Sequence, residues 1–445
     1  MTTRRAFLAG SATLLCAAQI PALAPGFANV SGSVVAANAP NPGTPAAPSD
    51  SLVEFISVQT HLNWRRTVWG RSEWRPLLGN LGVRYTRSVI GNEMVRDHLL
   101  ALHREYGVRL NATFNTVNDD GSFNIKKTLS ALRFLKNEVG AEKLYAVEGP
   151  NEYTHRYKFG QWADRLGEYQ ALLYNAVKSD TELQALDVLA PTIWKRIVED
   201  YEQIASLGAY ADYGNLHLYT GGRKPSLFNR NGSDEPIDVA IRDAQIVVPG
   251  NPVCITETGF NVADGVPPSK WKVTTDVAAK YTLRNLLELF LRRDVVKRVN
   301  IYSLIDDEHR DQHYGLLSAD LTPRPAYFAL RNMIQLVSDP GPEFVTASLP
   351  YEMVTDDPTV RSVLLQKRDG RFLLLLWQDA ESYDRTAATA REIQPSRVQV
   401  DFGRSVASVA IYTPTMSASM QHELKTVTSA TLDIPDHLVV AELSI

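Results

Sequence analysis

Eight short apolar runs recur along the middle of the chain, and their alternation with amphipathic segments limits the open folds more than any other feature. They cover residues 53–58, 83–90, 108–114, 144–147, 188–190, 216–219, 253–256 and 299–304. Between them lie helical spacings: Trp162, Leu166, Tyr169, Leu172, Leu173 and Val177 share one face, and Val277, Tyr281, Leu286, Leu287, Phe290 and Leu291 share another. Nearly continuous apolar strands alternating with helices predict a parallel sheet covered by helices. Eight such units over roughly 250 residues suit a (β/α)8 barrel. A doubly wound open sheet is the structural alternative, weakened because no Gly-x-Gly-x-x-Gly follows an early strand.

The pattern changes after the helix expected over 326–337. Runs at 363–365 and 372–377 flank Arg368-Asp369-Gly370-Arg371, and Asp-Gly is a strong hairpin signal. Further period-two segments follow at 398–402, 406–412, 430–434 and 438–443. A chain of 445 residues exceeds what one core accommodates. The predicted architecture is therefore α/β: a (β/α)8 TIM barrel over 51–337, then a small C-terminal antiparallel β-sandwich over 338–445. The sequence leaves open whether the sandwich draws a strand from before the barrel.

The N-terminus reads as an address. Arg4-Arg5-Ala6-Phe7-Leu8 precedes a mainly apolar run to Ala18, with small residues at Ala22, Ala24 and Ala28. That order describes an export signal over 1–28, and the paired arginines point to the twin-arginine type, which carries folded proteins. Residues 29–50, rich in Ala, Pro, Ser, Gly and Asn, read as a linker. Cys16 sits in a poor lipobox context. With the signal removed, Cys254 is the only cysteine left, which fits folding in a reducing compartment. The expected location is periplasmic or secreted, with no transmembrane segment after signal removal. A net charge of −4 with 22% charged residues gives no basic stretch for nucleic acid.

Chemistry concentrates at two strand ends. Gly149-Pro150-Asn151-Glu152-Tyr153 follows the fourth run, and Ile255-Thr256-Glu257-Thr258-Gly259-Phe260 ends the seventh. Barrel closure brings both to one catalytic rim. Two carboxylates so placed suit glycoside hydrolysis, one donating a proton and the other attacking or stabilising the sugar. Asn151 suits a sugar 2-hydroxyl. Glu148 reads as an inward group and not the acid. His61, after strand one, is a candidate substrate contact. Trp64, Trp69, Trp194 and Trp271 follow strands and are expected in rim loops as sugar platforms; Trp162 and Trp377 are expected in cores. Asp306, Asp307, Glu308 and His309 read as a polar loop, because contiguous spacing does not bring all four to one ion. No metal and no organic cofactor is expected.

These residues together resemble the retaining glycoside hydrolases of clan A, a superfamily of (β/α)8 enzymes. Asn151-Glu152 matches the clan's Asn-Glu acid/base at strand four, and Glu257 matches its strand-seven nucleophile. His217-Leu218-Tyr219 matches its His-x-Tyr at strand six, and Arg87 its strand-two arginine. Tyr314-Gly315-Leu316-Leu317 through Ala326-Tyr327 is similar to the passage from strand eight to helix eight. The clan's tryptophan at the end of strand eight is replaced here by Tyr302, a candidate sugar contact. Gly-Pro-Asn-Glu with a trailing sandwich leans toward family 39, with family 5 close. The resemblance implies an exported retaining hydrolase of a β-linked poly- or oligosaccharide. In it Glu152 and Glu257 are catalytic, and Arg87, Asn151, His217, Tyr219, His61, Tyr302, Trp194 and Trp64 bind substrate. A transglycosylase and a non-catalytic carbohydrate-binding or scaffold protein of the cell envelope are the alternatives. A partly desolvated site with a neighbouring carboxylate is expected to keep Glu152 protonated.

Overall fold

The structure, a computed structural model, describes residues 43–91, 93–307 and 311–445. The export signal over 1–28, the linker as far as residue 42, and Glu308 and His309 lie outside the described residues. The remainder forms one compact unit.

Eight parallel strands run β1 (Ile56–Gln59), β2 (Tyr85–Val89), β3 (Arg109–Thr113), β4 (Leu144–Glu148), β5 (Asp187–Leu189), β6 (Gly214–His217), β7 (Val253–Thr258) and β8 (Val296–Ile301). They pair in chain order, and β8 returns to β1. The last seam, between β5 and β6, closes through the Leu189–Tyr213 bridge, with Ala190 N donating to Tyr213 O at 2.9 Å. Each strand leads to a helix: α1 (Arg75–Leu81), α2 (Glu93–Tyr106), α3 (Ile125–Phe134), α4 (Trp162–Lys178), α5 (Val198–Gln203), α6 (Ile237–Gln245), α7 (Thr275–Phe290) and α8 (Pro325–Val337). This is the predicted (β/α)8 barrel.

Local chemistry sets these elements. Strands β1, β2, β3 and β6 are buried along nearly their whole length, as strands covered on both faces must be. Helix α4 buries Trp162, Leu166, Tyr169, Leu173 and Val177, the face its spacing predicts. The side chain of Asn124 accepts from Lys127 N at the start of α3, and that of Thr274 from Val277 N at the start of α7. Pro325 opens α8, where its missing N–H costs nothing.

The C-terminal region is antiparallel: β9 (Glu352–Val354), β10 (Val360–Gln366), β11 (Phe372–Gln378), β12 (Ser396–Tyr412), β13 (His422–Ile434) and β14 (Val439–Ser444). The β10–β11 hairpin turns on Asp369-Gly370, Gly370 having φ +90°. Period two divides the side chains of β11. Leu373, Leu375 and Trp377 join the barrel's core, while Leu374 and Leu376 join a separate core with Val398, Val400, Phe402 and Val406. The long strand β12 shifts register between Asp401 and Val406, and it pairs with β9 before the shift and with β14 after it. Ala47–Pro48, at the end of the segment expected as linker, pairs with β10 in parallel, and Thr44–Pro45 pairs with Ser348–Leu349. A strand from before the barrel thus completes the sheet.

Buried charges join the two parts. The Asp379 carboxylate meets Lys224 at 2.8 Å and Arg284 at 3.4 Å, and Asp436 meets Lys280 at 2.9 Å. Among the described residues no helix is long and apolar enough to cross a membrane.

Candidate active site

Glu257 projects from β7 in register with His217 of β6. One of its oxygens accepts from Arg87 Nη1 at 2.9 Å, and the other from the Tyr219 hydroxyl at 2.8 Å. Arg87 is fully buried on β2, where its guanidinium is used on every side. It donates to Glu148 through Nε (2.8 Å) and Nη2, to Gln59 Oε1 (2.9 Å) and to Asn151 Oδ1 (2.7 Å). Glu148 is thus a counter-ion to the arginine. It also accepts from Asn111 Nδ2 at 2.8 Å and Thr113 Oγ1 at 3.2 Å, and it is 1% exposed, so substrate does not reach it. With Asn151 Oδ1 committed to Arg87, the amide nitrogen is the group left for the cavity that Asn151 lines.

Glu152 follows β4 in the left-handed region, with φ +44° and its backbone N–H held by Thr192 Oγ1 at 2.9 Å. Such strain in a non-glycine residue persists where the surroundings fix the residue for a purpose. Its Oε1 lies 2.9 Å from His217 Nδ1, which also stands 3.6 Å from Glu257. Oxygen atoms of the two glutamates and the imidazole nitrogen all fall within 4.8 Å of one another. By type these donors also suit a divalent cation. Yet Arg87 and Tyr219 already occupy both Glu257 oxygens, and a guanidinium 2.9 Å away opposes a second cation.

The electrostatics of the pair differ from expectation in one respect. Burial pushes the Glu152 carboxyl up, but the hydrogen bond and charge of His217, with His155 and Arg87 behind it, outweigh burial and hold it below the ordinary value. The expectation of a carboxyl kept protonated by desolvation therefore fails in the free protein. Two histidines and a buried arginine turned toward this side chain set that balance. Tyr219 behaves oppositely. Burial, then the Glu257 charge, pushes its phenol well up, so it stays a neutral donor to that carboxylate.

A cavity of about 580 Å³ opens beside the pair. Arg87, Asn151, Glu152, Glu257, His61, Trp64 and Tyr302 all line it, whereas His217 and Tyr219 reach the glutamates from β6. His61 stacks on Trp64 at 3.9 Å with rings 7° apart. Trp194 lies outside the cavity lining, edge-on to His155 at 4.4 Å. Trp69, expected on the rim, is 1% exposed in the core beneath His61, where it packs on Trp74. Trp271 is an exposed rim residue, 48% accessible, and Trp162 and Trp377 are buried as predicted. Asp306 is a buried loop anchor, accepting from His313 Nδ1 (3.0 Å), Gly315 N (2.7 Å) and Arg324 Nη2 (2.6 Å).

Several participants went unread in the sequence. Tyr314 meets Tyr219 at 5.5 Å and Tyr302 at 5.8 Å, completing an aromatic wall beside Glu257. Burial pushes its phenol up to about 12. It arrives from a loop 13 residues beyond β8, with no periodic signal. Gln59 ends β1, and a polar residue at that strand end was the available clue. His155 and Arg156 follow Glu152 within four residues and line the same cavity.

No family model matches the chain, and no curated protein matches its sequence. Solved structures do match its fold. A family 39 glycoside hydrolase from the gut symbiont Bacteroides cellulosilyticus WH2 superposes with a TM-score of 0.62 at 13% identity, over 90% of this chain and 83% of that one. A GH39 β-xylosidase from Caulobacter crescentus gives 0.56 at 16% identity, over 90% and 98%. A family 51 α-L-arabinofuranosidase from Bifidobacterium longum gives 0.58 at 12% identity, over 90% and 97%. The chain therefore shares the fold of these family 39 and family 51 enzymes.

Proposed function

We propose that this protein is a retaining glycoside hydrolase acting on a β-linked poly- or oligosaccharide by double displacement. The observation that carries the reading is the close pair. One oxygen of Glu152 and one of Glu257 lie within 4.8 Å of each other, and Glu257 is hydrogen-bonded by a guanidinium and a phenol. Retaining enzymes hold their carboxyl groups about 5–5.5 Å apart, and inverting ones about 6.5–9.5 Å. The fold shared with family 39 and 51 enzymes supports the reading independently.

In the proposed cycle a Glu257 oxygen bonds to the anomeric carbon as the glycosidic bond breaks, and the departing oxygen takes the Glu152 proton. Water then gives a proton to Glu152 while its oxygen displaces Glu257, so two inversions restore the configuration. In this cycle the Asn151 amide donates to the 2-hydroxyl and Tyr302, which lines the cavity, walls the reacting sugar.

Glu257→Gln and Glu152→Gln should each lower kcat by about 10³-fold or more while the fold and sugar binding survive, given what paired carboxylates contribute. Turnover on a panel of plant and bacterial polysaccharides, with product configuration read by NMR, tests the mechanism. Products of inverted configuration would overturn it, and binding without turnover on every polysaccharide would favour a scaffold. Export by the twin-arginine route belongs to the same proposal. Replacing Arg4 and Arg5 by lysine should retain the protein in the cytoplasm, and unimpaired export would refute that route.

A further inference from the structure

The loops after β4 and β5 carry cations that the hydrolase reading leaves without a task. Arg156 lines the cavity four residues after Glu152, and Lys195 and Arg196 sit on the neighbouring loop. Among the described residues none of the three meets a carboxylate within salt-bridge distance, although other cations of this rim do: Arg223 with Asp234, Lys272 with Asp311, Arg324 with Asp306. Arg196 is the most telling. Its Nη1 donates to His217 O at 2.9 Å and its guanidinium lies 5.2 Å from the Phe228 ring, while Nε is buried with no hydrogen-bond partner. Burial pushes this guanidinium down, and the negative charge it feels includes that of Glu152.

The backbone points the same way. Lys195 and Arg196 are consecutive non-glycine residues in the left-handed region, with φ +71° and +45°. With Glu152 they make three of the seven such residues in the described chain, all on this side of the site. Strain of this kind gathers where the surroundings over-determine the backbone, as at ligand clamps. Trp194 lies between these groups, with Lys195 Nζ 4.3 Å from its ring centroid and His155 against its edge. An aromatic side chain capped by an ammonium suits a sugar ring that carries a negative charge. Asp119, on the β3 loop, lines the same cavity as Arg156.

We propose that the loops after β4 and β5 form a subsite for an anionic sugar residue of the substrate, its carboxylate or sulfate taken by the exposed Arg156 and Lys195, with the Arg196 charge adding to their field. The proposal rests on the hydrolase reading for the identity of the cleft, but its test needs no turnover. The Glu257→Gln protein is titrated calorimetrically with hyaluronan and gellan oligosaccharides, with their carboxyl-reduced counterparts, and with κ-carrageenan oligosaccharides for sulfate. An acidic oligosaccharide should bind about tenfold or more tightly than its reduced form, as charge-assisted hydrogen bonds imply, and the preference should shrink with salt. Whether the uronates or the carrageenan bind tighter assigns carboxylate or sulfate. Arg196→Gln and the exposed Arg156→Gln should each cut the preference several-fold. Equal affinity for native and reduced oligosaccharides, no binding by any acidic probe, or a preference that survives both substitutions would overturn the proposal. Acidic binding without wild-type turnover would instead sink the hydrolase reading and leave the subsite standing.

Discussion

Arg87 does most to turn separate strand ends into one site, because its single guanidinium reaches Glu148, Glu257, Asn151 and Gln59 together. Deleting it leaves Glu148 buried without its counter-charge, and breaking a buried pair in this way costs about 3–5 kcal/mol. Arg87→Ala should therefore lower stability by that amount in urea denaturation as well as activity. Arg87→Lys keeps the charge but not the fork, so it should recover most of the stability and little of the activity. His217 makes a separate prediction through Glu152. A carboxylate with a lowered pKa draws stability from its partner above the ordinary value of 4.5, and that stability is lost as pH falls through the folded value. For catalysis the sign runs the other way, since the acid form is needed. The alkaline limb of kcat/KM should lie at acidic pH and move upward in His217→Asn, which removes the largest lowering influence. An unmoved limb would mean that another group sets it.

At the level of elements, legibility followed periodicity. The strands and helices of the barrel stood out because both faces of most strands are buried and one face of most helices is, although α7 is buried nearly all round. Glu152 and Glu257 were readable because a charge directly after an apolar run has one place to go. Loops lack such a signal. Trp69 follows β1 as a platform would, yet the loop turns it under His61 into the core, and Tyr314, marked only by the passage it opens, comes back to the site after a detour without periodicity. Residues 44–48 looked like linker because Gly, Pro and Ala carry no strand signature, although two residues suffice to extend an edge. What brings β7 and β8 together at the site is likewise small. A Cβ on Gly259 would fall 2.2 Å from Tyr302 O, so the strand ends approach only because that position is glycine. Gly259→Ala should push Tyr302 off the cavity wall, raise KM and cost about 1–3 kcal/mol, the usual penalty for overpacking. Wild-type KM in that variant would show that the wall tolerates the shift.

Across the whole molecule, barrel and sandwich behave as one body for reasons the composition of either part does not reveal. Trp377 leaves the sandwich sheet to donate to Glu288 of α7 at 3.0 Å, and Arg284 of the same helix donates to Ala380 O at 2.7 Å and to Ser382 Oγ at 3.0 Å. Asp379 stands at the centre, 3% exposed, facing Arg284, which is fully buried, and Lys224 of the β6 loop. Removing the carboxylate strands both cations, so Asp379→Ala should cost about 3–5 kcal/mol, the range for a broken buried pair. The contact also lies on the path to the site, since Lys224 and Tyr219 share the loop after β6. Thermal unfolding followed by near-ultraviolet dichroism and by residual activity should therefore give coincident midpoints in the wild type, both lowered in Asp379→Ala. A sandwich that served only as an appended module would melt separately, and the substitution would leave the midpoint for activity where it was.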